Sequence, residues 1–273
     1  MRHSDSFKSF DKTEIYYDTW KVDRKIPTFL FLHGMGGDLT AWNKERTILF
    51  NKGYGSIAVD LRGHGLSGRP QEHDAYKLDA FAKDIELLIK KQFKIPPVVI
   101  GHCFGGMAAM LLIADHPHIA KALILIDTNY KSPFYSELFL KHASLIQLLH
   151  LFMRFAPSNH IRGHIDFGKF QNTADYDMSR IVSDIAHVSL KSYLNIVDNV
   201  LTYNGQDLLK KIRIPTLIIE GLNDSVFPPK VAQELHRRII TSHLKFIPGA
   251  NHILVLNNPK DLCDSINTFA QQI

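Results

Sequence analysis

The chain has 273 residues, 45% hydrophobic and 22% charged, which suits a globular protein with a large core and excludes a disordered or fibrous one. Two cysteines, Cys103 and Cys263, are too few for a disulfide framework, and the opening MRHSDSFKSFDKTEIYYDTW has no apolar signal segment, so the expected compartment is the cytoplasm. The net charge of +5 comes from scattered Lys and Arg without a basic stripe interleaved with aromatics, so no nucleic-acid partner is expected.

In chain order, SFKSF and EIYYDTW, separated by DKT, read as an antiparallel hairpin. PTFLFL (27–32) is a continuous apolar run suited to a central strand, and GSIAVDL (55–61) is another. LDAFAKDIELLIKKQF (78–93) has helical spacing. The uncharged stretch Ile95 to Ala114 is as long as a membrane span. Its internal prolines and glycines divide it instead into a strand, PPVVIGH, and a small-residue helix, GGMAAMLLIADH, so no stable membrane insertion is expected. KALILID (121–127) closes this part as a sixth strand.

From Thr128 to about Lys211 no strand-like run occurs, whereas amphipathic segments such as DIAHVSLKSYLNIVDNVL do. Roughly eighty residues are too many for a bare connection, which implies a helical cap at 128–211 inserted into a core made of 1–127 and 212–273. Residues 134–155 are apolar on more than one face, which fits packing on the core and an acyl pocket between the two. Alternation then resumes with PTLIIEG, PKVAQELHRRI, HLKFIPG and NPKDLCDSINTFAQQI, giving an α/β fold with a mostly parallel eight-stranded sheet flanked by helices.

Four short stretches carry chemistry. In Gly101-His102-Cys103-Phe104-Gly105 a nucleophilic side chain sits between glycines on a strand-to-helix turn, the G-x-S-x-G elbow with sulfur for oxygen. The start of a helix favours a thiolate there. FLFLHGMGG ends a strand in a glycine-rich turn that can aim the Met35 N–H, alongside that of Phe104, at a substrate carbonyl oxygen. EGLNDSVFPP puts Asp224 after one buried strand, and PGANHILVLNNP puts His252 after the last. Nucleophile, acid, histidine is the order a Cys103–His252–Asp224 triad needs on such a sheet. Asp127, at the end of the sixth strand, is the alternative acid. His33, Gly34 and His102 flank the site and are candidates for substrate contact, packing or hydrogen bonding. His116 and His118 lack nearby carboxylate or thiol ligands and read as a helix terminus rather than a metal pair, Cys263 reads as a core residue, and no cofactor fingerprint is present.

Over nearly its whole length the chain resembles the α/β-hydrolase fold superfamily, in particular its cap-bearing esterase and lipase-like members. DLRGHGLSGRP (60–70) is similar to the segment after the fourth strand of that family, and the resemblance implies architectural roles for Asp60, Arg62 and His64. The departure is Cys103 in place of the usual serine. Thiolate leaves a tetrahedral intermediate more readily than alkoxide, so simple alkyl esters tend to revert. Thioesters, aryl or enol esters and activated lactones do not share that bias. The expected function is hydrolysis of ester or thioester bonds in a small-molecule acyl substrate through a covalent acyl-enzyme. The alternatives are an acyltransferase on the same scaffold and a ligand-binding or regulatory protein with negligible turnover, including a serine esterase whose serine has become cysteine.

Overall fold

β1 (Arg2–Lys8) and β2 (Glu14–Trp20) pair antiparallel with Phe7 opposite Ile15. The pairing extends back to Arg2 opposite Trp20, into polar, exposed residues that carry no strand pattern of their own. The structure is a computed structural model describing residues 2–21, 28–132, 156–201 and 203–273. The apolar run 134–155 therefore lies outside the described residues.

β3 (Thr28–Leu32), β4 (Gly55–Val59), β5 (Val98–His102), β6 (Ala122–Ile126), β7 (Thr216–Gly221) and β8 (Ser242–Ile247) complete one eight-stranded sheet. Its order is β1-β2-β4-β3-β5-β6-β7-β8, parallel from β4 onward. Strand alternation splits the core in two. Leu30 and Leu32 face a layer with Phe81, Met107 and Leu235, while Phe29 and Phe31 face one with Trp42, Leu49 and Ile266.

The helices follow from that split. α1 (Asn43–Asn51) and α7 (Pro259–Ala270) cover one face; α2 (Leu78–Gln92), α3 (Phe104–Asp115) and α6 (Pro229–Arg238) cover the other. The uncharged run 95–114 resolves into β5 and the buried α3, and among the described residues no helix is long and apolar enough to cross a membrane. Between β6 and β7 lie α4 (Met178–Val188) and α5 (Leu190–Leu201). The chain leaves and re-enters the core side by side. Lys131 bridges Asn204, Ser132 N–H donates to Tyr203 O at 3.1 Å, and Gly205 N–H donates to Tyr130 O at 2.6 Å. The start of the re-entering segment is pinned over the β3 and β4 ends, where Asp38 Oδ2 accepts from Ile165 N–H at 2.7 Å and His164 Nε2 lies 2.8 Å from Asp60 Oδ2.

Candidate active site

The parallel strands all end on one edge, and the first consequence is the turn after β5. Cys103 takes φ +50 and ψ −116, a left-handed conformation that L side chains rarely adopt and that costs about 1–3 kcal/mol. The strain is held by hydrogen bonds on both sides. Cys103 N–H donates to Ile126 O at 3.0 Å, and the Thr128 hydroxyl donates to Cys103 O at 2.6 Å. The flanking glycines are a packing requirement. A Cβ at Gly105 would sit 2.6 Å from the Leu32 and His33 carbonyl oxygens, and one at Gly101 would sit 2.7 Å from Gly106 N. Only a bare backbone lets α3 approach β3 and β5 this closely, and the result lifts a partly exposed Cys103 onto the edge at the start of α3.

β7 and β8 deliver the other two groups. Asp224 Oδ1 accepts from Val226 and Phe227 N–H, each at 2.7 Å, which fixes the carboxylate and leaves Oδ2 2.7 Å from His252 Nδ1. His252 is buried, and Cys103 lies close enough to act on its charge. Burial opposes a charge on His252. The Cys103 sulfur and the hydrogen bond to Asp224 outweigh it and hold the imidazole well above its ordinary range. His252 and Asp224 are thus locked together, with Cys103 within electrostatic reach of the imidazole.

The neighbouring histidines are tied to backbone. His33 Nδ1–H donates to Gly34 O at 2.8 Å and Nε2 accepts from Leu61 N–H at 3.0 Å. His64 Nδ1–H donates to Arg62 O, and its Nε2 accepts from Gly36 N–H at 3.2 Å. Burial depresses both, so they remain neutral supports of the 33–37 turn. His102 Nε2–H donates to His252 O at 2.9 Å, and burial followed by the His252 charge pushes it down to about 3. That turn, closed by Gly37 N–H on Gly34 O at 3.1 Å, carries the Met35 N–H. The Phe104 N–H opens α3, where a helix has no acceptor of its own.

Asp60 Oδ1 and Oδ2 accept from Leu39 and Leu66 N–H, and Arg62 makes a two-pronged pair with Asp84 at 2.7 Å, so this segment braces the sheet edge. His116 caps the C-terminus of α3, and Cys263 is fully buried with its thiol pushed up by burial.

Sequence reasoning missed Asp175. Its Oδ1 accepts from His252 N–H at 2.8 Å, while Oδ2 accepts from Ser225 N–H at 2.9 Å and the Ser225 hydroxyl at 2.6 Å. One carboxylate from the β6–β7 segment therefore clamps the loops that carry the acid and the histidine. No local pattern in NTADYDM marks it, because its partners lie fifty and seventy-seven residues away. Behind Asp224, buried Asp127 and Glu220 bring carboxylate oxygens within 4.8 Å of it. Asp127 Oδ1 accepts from Gly221 N–H at 2.9 Å, so its own link is to the β7 backbone. Burial raises Asp127 well above its usual range and Glu220 to about 10, which favours their protonated forms. The other carboxylate group, Asp38, Asp60 and His164, has its oxygens committed to backbone donors and to His164.

Residues 27–259 match the family described as alpha/beta hydrolase fold. The chain is 25% identical over 248 residues to Protein ABHD8 of Homo sapiens, covering 89% of this chain and 54% of that protein, so it spans about half that relative's length. It is 24% identical over 272 residues to the sn-1-specific diacylglycerol lipase ABHD11 of Mus musculus, covering 93% and 84%. In fold it is similar to the enol-lactonase from Burkholderia xenovorans LB400, with a TM-score of 0.75, 19% identity and coverage of 98% and 100%.

Proposed function

We propose that this chain, which belongs to the α/β-hydrolase fold family, is a cysteine acyl hydrolase acting on activated acyl donors, thioesters foremost. The reading rests above all on one observation: a strained Cys103 facing a histidine that is itself locked 2.7 Å from Asp224. The mouse relative is named as a lipase, which agrees with chemistry at an ester carbonyl.

In the proposed cycle Cys103 Sγ attacks the carbonyl carbon, and the carbonyl electrons move onto an oxyanion received by the Met35 and Phe104 N–H groups. Collapse expels the leaving group, which takes its proton from His252, and leaves an acyl thioester on Cys103. His252, now neutral, removes a proton from water as it attacks. The second collapse releases the acid and returns the thiolate beside a protonated His252. Asp224 holds the imidazole tautomer throughout. The 128–211 segment serves as a cap over this edge, and the protein works as a cytoplasmic enzyme on small molecules.

Sulfur sets the substrate preference, because a thiolate is a better leaving group than an alkoxide but not than another thiolate. Cys103→Ser is expected to raise kcat/KM for simple alkyl esters while lowering it for thioesters of the same acyl chain. A uniform rise or a uniform fall across both donor classes would overturn the assignment.

A further inference from the structure

Beside the catalytic line lies a small cavity of about 50 Å³. The 33–37 turn and His102 form one side, Trp42, Ile253 and Leu256 supply apolar walls, and Arg180 and Asp184 of α4 enter from the β6–β7 segment. Arg180 and Asp184 pair at 3.0 Å through Nη1 and Oδ2, and the Asp184 side chain is 8% exposed. The pairing is incomplete. Among the described residues Asp184 Oδ1 has no hydrogen-bond partner, and neither has Arg180 Nε. A buried acceptor and a buried donor left open in one wall disfavour the empty state. In an edge that must receive a substrate, that cost is recovered when a ligand fills both.

From this we infer that Asp184 and Arg180 form a polar subsite for a substrate hydroxyl, the smallest group that donates to one and accepts from the other. The inference rests on the acyl-transfer reading of Cys103. Asp184 packs against the turn itself: a Cβ on Gly36, which takes φ +86, would lie 2.9 Å from Asp184 Cβ. Gly36 adjoins Met35, which also lines the cavity, so the subsite borders the turn proposed to receive the oxyanion. Burial lifts Asp184 to about 7.

The hydroxyl belongs either to the acyl group or to the leaving group, and two matched pairs separate them. One pair is 3-hydroxybutyryl against butyryl thioester of N-acetylcysteamine; the other is S-butyryl 2-mercaptoethanol against S-butyryl ethanethiol. The readout is the kcat/KM ratio within each pair, which does not depend on the fraction of active enzyme. The wild type is expected to favour the hydroxyl member of one pair by about tenfold, the worth of one well-made hydrogen bond. Asp184→Ala and Asp184→Asn should each cut that ratio by at least fivefold. Arg180 is unsuited to the test, because its Nη2 also holds the Asp175 carbonyl at 2.6 Å. Equal rates within both wild-type pairs, or a preference that survives in Asp184→Ala, would overturn the subsite while leaving the nucleophile in place. If no thioester acylates Cys103, the acyl-transfer reading falls and the subsite falls with it.

Discussion

Removing the Asp175 carboxylate should disable the catalytic edge without touching any residue that reacts. Its two oxygens take three hydrogen bonds: His252 N–H at 2.8 Å, Ser225 N–H at 2.9 Å and the Ser225 hydroxyl at 2.6 Å. In Asp175→Ala the His252 N–H is left without an acceptor in a buried place, a cost of about 1–3 kcal/mol, and the Ser225 donors turn to water at a smaller cost. The expected loss of stability is therefore about 2–4 kcal/mol, read as a shift of the urea midpoint. The kinetic effect follows from geometry. The loop bearing His252 keeps its link to Asp224 but loses the clamp on its backbone, and about 1 Å of misplacement at a reacting group costs on the order of 100-fold. A fall in kcat of about 30- to 100-fold with little change in KM is expected on a p-nitrophenyl ester. Asp175→Asn keeps one accepting oxygen and should fall between the two. If Asp175→Ala unfolds earlier yet keeps kcat within about threefold, the clamp is structural only and the positioning argument fails.

Two further outcomes follow from the same contacts. Iodoacetamide should alkylate the partly exposed Cys103 and leave Cys263, which is buried with its thiol pushed up, unlabelled, and His252→Gln should slow the reaction at Cys103 at least tenfold. Stability should decline as pH rises from about 5. Burial raises Glu220 from 4.5 to about 10 and Glu45 from 4.5 to about 8, so the folded protein binds protons that the unfolded chain has released. Each group contributes a slope of up to about 1.4 kcal/mol per pH unit between its two values, and Glu220→Gln should remove one such slope between pH 6 and 9. Urea midpoints with an unchanged slope would refute it.

Much of the fold is legible because a parallel sheet covered on both faces demands continuous apolar runs. FLFL, VVI, ALILI and TLII have no other economical reading. The long connection after β6 shows as a loss of that rhythm. α1 does not show, for a physical reason: Glu45 and Arg46 are fully buried, so NKERTILFN lacks a helical face. Arg46 is satisfied by Ser56 Oγ at 3.1 Å and Asp18 O at 3.0 Å, partners supplied only by the folded sheet. The start of β1 is hidden likewise, because Arg2 to Asp5 are polar and gain their strand only by pairing with β2. At the site, Cys103, Asp224 and His252 stand out because each follows a buried run in a turn-rich stretch. Asp175 does not, since its partners are distant in sequence and no periodicity encodes a clamp, and Asp184 reads from sequence only as half of an ordinary i,i+4 helix pair with Arg180.

The most direct test of the account is a rapid-mixing experiment with p-nitrophenyl butyrate that follows nitrophenolate and quenched intact mass together. The account predicts a burst of one equivalent, a butyryl adduct that maps to Cys103 and decays at the turnover rate, and neither in Cys103→Ala. Turnover that survives in Cys103→Ala, or an adduct on another residue, would contradict it.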